Sequence, residues 1–337
     1  MILAAAATLL LNTSVFFAAL ALALRFRNNI KTRRLTQLHH RWEPAMLEIL
    51  GGAAAPEEIF ERVDEVDTSH FLSFLMGYTT RLRGDEQAMV RSMAAPYLPT
   101  RVDMVRGGTA ESRGNAVLML ARMGMPKYAA TVAGALQDES PTVAMIAARS
   151  LFRPGHEEYF PAVLENLSRF TMWSRSFLAS MLAGGGPRAA PHLREILRDA
   201  DQPPLARAVA SDALRDLNDL ESVDVAMELL ASEPDRELVA GCLRIIKQLG
   251  HRDHVPAVRS KAASRDPVIR ATAASALGAI GGPSEIPLLR DTLDDPSFWV
   301  SLEAARGLRA LGDGATLERH VASGGPGSIL ARQVLSE

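Results

Sequence analysis

At 337 residues with 47% hydrophobic side chains, the chain is long enough to bury a large core, and 37 basic against 39 acidic residues exclude the basic excess that nucleic-acid binding needs. The single cysteine, Cys242, excludes an intrachain disulfide and falls in a column of small apolar residues, which predicts a buried thiol without redox chemistry.

The first element in chain order is the stretch from Ile2 to Leu24, which holds no charged residue and is long enough to cross a bilayer of roughly 30 Å. It predicts a transmembrane anchor over residues 1–24. Ala4, Thr8, Asn12, Ala19 and Ala23 fall near one face of that helix, a stripe of small and polar side chains suited to contact with another membrane helix. No Lys or Arg precedes the run, as a cleaved signal peptide would require. A basic juxtamembrane segment, residues 25–42, follows with Arg25, Arg27, Lys31, Arg33, Arg34 and Arg41 ahead of the first acid at Glu43. The positive-inside bias then predicts a single-pass inner-membrane protein with its amino terminus outside, its basic collar on anionic headgroups and the rest in the cytoplasm. Setting those six cations aside leaves 31 basic against 39 acidic residues, so residues 42–337 carry −8.

Residues 43–110 read as an irregular helical cap. From 111 to 323 one layout recurs every 30 to 33 residues, with Leu120, Leu151, Met181, Leu214, Ile246, Leu277 and Leu308 in one column. Four residues before each stand Ala116, Ala147, Phe177, Ala210, Cys242, Ala273 and Ala304, an i,i+4 pair that marks one face of a helix. Four residues after each come Gly124, Gly155, Gly185, Asn218, Gly250, Gly281 and Gly312, where a left-handed helix end favours Gly or Asn. Pro161, Pro191, Pro256 and Pro287 then open second helices, whose buried stripe pairs Val132 with Leu136, Val163 with Leu167, Leu193 with Leu197, Val258 with Ala262 and Leu289 with Leu293. The pattern predicts an all-α fold: a solenoid of about seven helix pairs, ended by a cap over residues 324–337, because stacked pairs must cover one another's apolar faces.

The segment Asp266, Pro267, Val268, Ile269, Arg270, Ala271, Thr272, Ala273, Ala274, Ser275, Ala276, Leu277, Gly278, followed by Ile286, Pro287, Leu288 and Leu289, resembles the HEAT-repeat family, including the bacterial repeats first associated with phycobilisome lyases. The resemblance spans residues 111–323 and implies a binding solenoid whose second helices line the concave face. It implies no activity, since the matching residues pack, turn and cap. The overall plan is also similar to single-span bacterial HEAT proteins associated with membrane glycosyltransferases of surface-polysaccharide synthesis.

No catalytic constellation emerges, and no cofactor or metal is expected. His251 and His254 flank Asp253 without a recognisable third ligand, and Asp216, Asp219, Glu221 and Asp224 read as a solvated acidic turn. Partner contact has better candidates. Arg194, Arg259 and Arg290 share a second-helix column, and Glu165, Glu195, Glu228 and Asp291 form the next, which predicts a mixed charged ridge. Trp299 stands in a column otherwise held by Glu111, Thr142, Met172, Leu205, Glu237 and Val268 and is either an interface anchor or packed against Phe298 or the carboxy-terminal cap. The sequence therefore predicts a membrane-anchored, non-enzymatic scaffold for a membrane-associated protein, such as a glycosyltransferase. The alternative is a HEAT-like bilin lyase.

Overall fold

A helix pair with one apolar face is stable only when a neighbour covers that face, and two compact units supply such neighbours here, Met1–Ala135 and Leu136–Glu337. The computed structural model describes the backbone of residues 2–79 and 81–337, with side chains described for all of these except 2–15, 23–24 and 27–31.

The first unit holds α1 (Ile2–Leu50), α2 (Thr68–Thr79), α3 (Gly84–Ala94), α4 (Leu98–Arg106), α5 (Ala110–Met123) and α6 (Ala129–Gly134). The end of α1 is amphipathic: Leu38, Trp42, Ala45, Met46 and Ile49 recur at helical spacing, and all are buried. Trp42 meets the Phe71 ring edge-on at 5.2 Å, and its indole Nε1 donates to the Arg62 carbonyl at 2.9 Å, so the one polar atom of this buried ring is satisfied.

The expected transmembrane helix is corrected. Among the described residues no helix is long and apolar enough to cross a membrane. Helix α1 runs on without a break through the arginines into the Trp42 core. The collar is partly engaged within the protein: Arg34 pairs with Asp67 at 2.7 Å and Arg41 with Asp64 at 2.8 Å. In the expected helix-contact stripe Ala19 is exposed, while Ala4, Thr8, Asn12 and Ala23 lie outside the described side chains. The single-pass topology depended on the span and is not carried forward.

The second unit is built of helix pairs. Its first helices are α7 (Pro141–Leu151), α9 (Arg175–Ala183), α11 (Pro204–Asp216), α13 (Arg236–Leu249), α15 (Pro267–Ile280) and α17 (Phe298–Ala310). The second helices that follow them are α8 (Phe160–Glu165), α10 (Ala190–Arg198), α12 (Ser222–Ser232), α14 (Val255–Lys261), α16 (Ile286–Asp291) and α18 (Gly314–Ser323), and α19 (Ser328–Ser336) packs last against α17. Asp235 and Asp266 cap α13 and α15 by accepting from two backbone amides each. The leucine stripes are buried with two exceptions: Ala262 is only half-buried, and in α9 the phase slips by one residue, so that Leu178 and Leu182 are fully buried while Phe177 is half-exposed.

The turn column is also partly corrected. Gly155, Asn218 and Gly312 of this unit take the left-handed conformation, with φ of 90°, 53° and 83°. Gly250 and Gly281 instead leave their helices in extended backbone at φ −76°, and at the third turn the positive φ belongs to Gly186 rather than Gly185. First helices α15 and α17 approach closely at Gly278 and Gly307, where a β-carbon on Gly278 would run into the Gly307 backbone. Cys242 sits in the same layer, wholly buried, and burial pushes its thiol up to about 12.

Gly278→Val is therefore expected to lower stability by about 1–3 kcal/mol through overpacking, read as a lower urea midpoint with an unchanged slope. An unchanged midpoint would show that α15 and α17 are not held in backbone contact.

Candidate protein-binding groove

The three arginines of the expected ridge do not stand free. Each reaches forward one repeat to an acid in the next turn. Arg194 of α10 donates from one nitrogen to both carboxylate oxygens of Asp219 at 2.7 and 2.8 Å and pairs with Glu221 at 2.8 Å. Arg259 of α14 forks onto both oxygens of Glu285, with Nε to Oε2 at 2.9 Å. Arg290 of α16 lies 3.6 Å from Asp313. The geometry follows from the stacking, because the turn between the two helices of one repeat lies beside the second helix of the repeat before it. The acidic turn is accordingly part of this set of pairs: Asp219 and Glu221 hold Arg194, and Asp216 pairs with Arg215.

A parallel set joins the first helices to the following loops. Arg207 of α11 donates to Glu233 at 2.6 Å and to the Leu197 carbonyl at 3.1 Å, with both charged side chains only 7% exposed. Arg270 of α15 holds both oxygens of Asp295 at 2.8 and 2.9 Å. Two-pronged pairs of this kind fix orientation as well as charge. They also move protonation equilibria. The hydrogen bond from Arg259 holds the Glu285 carboxyl below its ordinary range, Arg270 does the same to Asp295, and Thr316 followed by Arg290 lowers Asp313.

With the arginines occupied, the neighbouring acids are left facing solvent. Glu165, Glu195, Glu228 and Asp291 are all exposed; Glu228 pairs with Arg198 at 2.9 Å, and the other three carry no ion pair among the described residues. Glu165 and Glu195 line a groove of about 370 Å³ between α8 and α10, with Pro161, Leu164 and Ile196 along its apolar wall. Asp199 also lines it, its carboxyl lowered by accepting from the Asp201 amide at 2.9 Å and the Gln202 amide at 3.0 Å. The groove is acidic with apolar walls, suited to a cationic side chain on a hydrophobic stem.

Trp299 is 64% exposed, and its ring meets that of Phe298, itself 53% exposed, edge-on at 5.2 Å. Both stand at the start of α17, so the pair presents itself to solvent. Phe298 was not singled out from the sequence. The signal was its place at the opening of a first helix, where α7, α11 and α15 carry Pro141, Pro204 and Pro267. His251 and His254 form a turn device: His254 Nδ1 accepts from the His251 amide at 3.0 Å.

Residues 223–309, from α12 to α17, match the family model for HEAT repeats, so this part of the chain is built of HEAT repeats. Its fold is similar to the karyopherin Kap121p bound to RanGTP, at 13% identity and a TM-score of 0.50, over 87% of this chain and 38% of that one. Kap121p bound to Pho4p gives 14% identity and a TM-score of 0.49, over 83% and 38%. The chain thus spans about two fifths of the length of those karyopherin chains, and the likeness is one of fold alone. The complex of CpcE and CpcF of phycocyanin lyase from Nostoc sp. PCC7120 shares 16% identity over 84% of this chain and 94% of that one, with a TM-score of 0.27 that carries no argument. No curated protein matches the sequence.

The lowered carboxyls give the ladder a pH signature. A depressed folded-state value means that the unfolded chain takes up protons first, so the stability from these pairs is complete above the ordinary carboxylate range and is lost as pH falls through it. Arg259→Gln is expected to lower the urea midpoint more at pH 7 than at about pH 3.5, where Glu285 is protonated in the unfolded chain. An equal loss at both values would show that the Arg259–Glu285 pair contributes nothing through its charge.

Proposed function

We propose that the chain is a non-enzymatic scaffold that holds a protein partner through the acidic groove between α8 and α10. The observation that carries this reading is the division of charge along the second helices: the arginines are tied to turn acids while Glu165 and Glu195 remain open to solvent. A surface of that kind attracts a segment bearing Lys or Arg, and the excess of acid beyond residue 41 adds long-range steering of the same sign. The similar karyopherin structure holds a protein partner, RanGTP, which supports protein binding as the use of such a solenoid. The glycosyltransferase expectation rested on the single-span plan and forms no part of the proposal.

The test is binding of a fluorescent Lys/Arg-rich peptide to the full chain, alongside affinity capture from native extracts. Glu165→Lys with Glu195→Lys is expected to weaken both by at least about tenfold while the helical melt is unchanged, because exposed charges add little stability. Trp299→Ala serves as a control on a separate surface. Binding that survives the double reversal, or that does not weaken with salt, would remove the groove from consideration. Loss on Trp299→Ala alone would move the site to the aromatic pair.

A further inference from the structure

The first unit contains a buried cation without a counter-ion. Arg101 of α4 is 7% exposed, yet its side chain donates only to neutral groups, to Ser69 Oγ at 2.8 Å and to Met104 Sδ at 3.1 Å. Its Nε is buried with no partner among the described residues, and so is Nδ1 of the adjacent His70. Burial pulls the guanidinium below its ordinary value, and no carboxylate opposes that shift. The closest acid in sequence on α2's side, Asp67, is already bound by Arg34, and α1 brings none to this region because the chain has no Asp or Glu before Glu43. Of the other buried or half-buried arginines, Arg175, Arg194, Arg207 and Arg270 each hold an acid, Arg91 and Arg169 donate to backbone carbonyls, and Arg244 has the charges of Asp212 and Glu237 close by. Leaving a buried charge unopposed is costly, so a site built this way is incomplete without an anion.

Arg101 lies on the wall of a cavity of about 480 Å³ among α1, α2, α4 and α5, a volume typical of small-molecule sites. From the cavity lining we infer that it binds a small monocarboxylate with an apolar body, its carboxylate on Arg101 and its body against Leu35, Met104 and Met119. Charge selects the head group. One guanidinium balances one negative charge, and two of the hydroxyls that a phosphate dianion would draw on are engaged, since Ser73 donates its hydroxyl proton to the Ser69 carbonyl and Ser112 donates to the Thr109 carbonyl. The two methionines supply an adaptable apolar wall. This inference concerns a different unit from the acidic groove and stands independently of the scaffold reading.

The test uses the full chain and octanoate as the probe, with octanol, octyl phosphate and an acidic peptide as comparisons, read by calorimetry and thermal melting. Octanoate is expected to bind saturably and raise Tm, with octanol at least about tenfold weaker. Arg101→Met is expected to abolish that difference and, by removing an unopposed charge, to leave the empty protein at least as stable as the parent. Met119→Trp, which fills the cavity and leaves Arg101 in place, is expected to block octanoate as well. The inference is overturned if octanoate binds no better than octanol, if it survives both substitutions, or if empty Arg101→Met melts below the parent. Tighter binding of octyl phosphate would overturn the monocarboxylate assignment, and binding of the peptide in place of octanoate would assign the pocket to a protein carboxylate.

Discussion

Each helix pair of this solenoid leaves an apolar stripe that only the next pair can cover, and the rest of the architecture is arranged around that dependence. Alanines, Cys242 and glycines hold the first-helix column small, so that helices meet almost backbone to backbone at Gly278 and Gly307. Apolar stacking of this sort is strong but has little directional preference. Register has to come from elsewhere, and the arginine pairs are placed to provide it. They reach from each repeat to the turn or loop of the next, as in Arg194 to Asp219 and Arg270 to Asp295.

That arrangement sorts the surface charge. The long cations of the second helices are drawn across the repeat boundary, where turn acids neutralise them, while short acids one position further along remain in solvent. A ridge of mixed charge in sequence thus becomes, in three dimensions, a structural ladder beside an acidic groove. The same chemistry has a counter-example in Arg101, which is as buried as Arg207 but meets only a hydroxyl and a thioether. Within one chain, the paired arginines show what a satisfied guanidinium looks like, and Arg101 shows the difference.

Much of the fold was legible because periodicity records burial directly. Ala273 with Leu277 and Leu289 with Leu293 read as buried stripes, and they are. What failed was legible only as composition. The stretch from Ile2 to Leu24 has the length and polarity of a span, yet the described part of α1 continues through its arginines into a packed end at Trp42, Met46 and Ile49. The arginine column could not be assigned from spacing, since a free and an engaged guanidinium have the same neighbours in sequence and the acids that bind these three lie 23 to 27 residues away. Gly250 and Gly281 share a column with Gly155 and Gly312 but reach the next helix through extended backbone. Arg101 gave no sign at all, because a lone arginine in a helix ordinarily points to solvent.

The central claim is that the second-helix arginines tie repeats together. A double-mutant cycle on Arg194→Gln and Asp219→Asn measures this directly, because both side chains are mostly enclosed, at 17% and 13% exposure. The account expects a favourable coupling of about 1–3 kcal/mol in urea denaturation at pH 7, with the double variant less destabilised than the sum of the single ones. Additive losses, with no coupling, would contradict it and return Arg194 to the free surface.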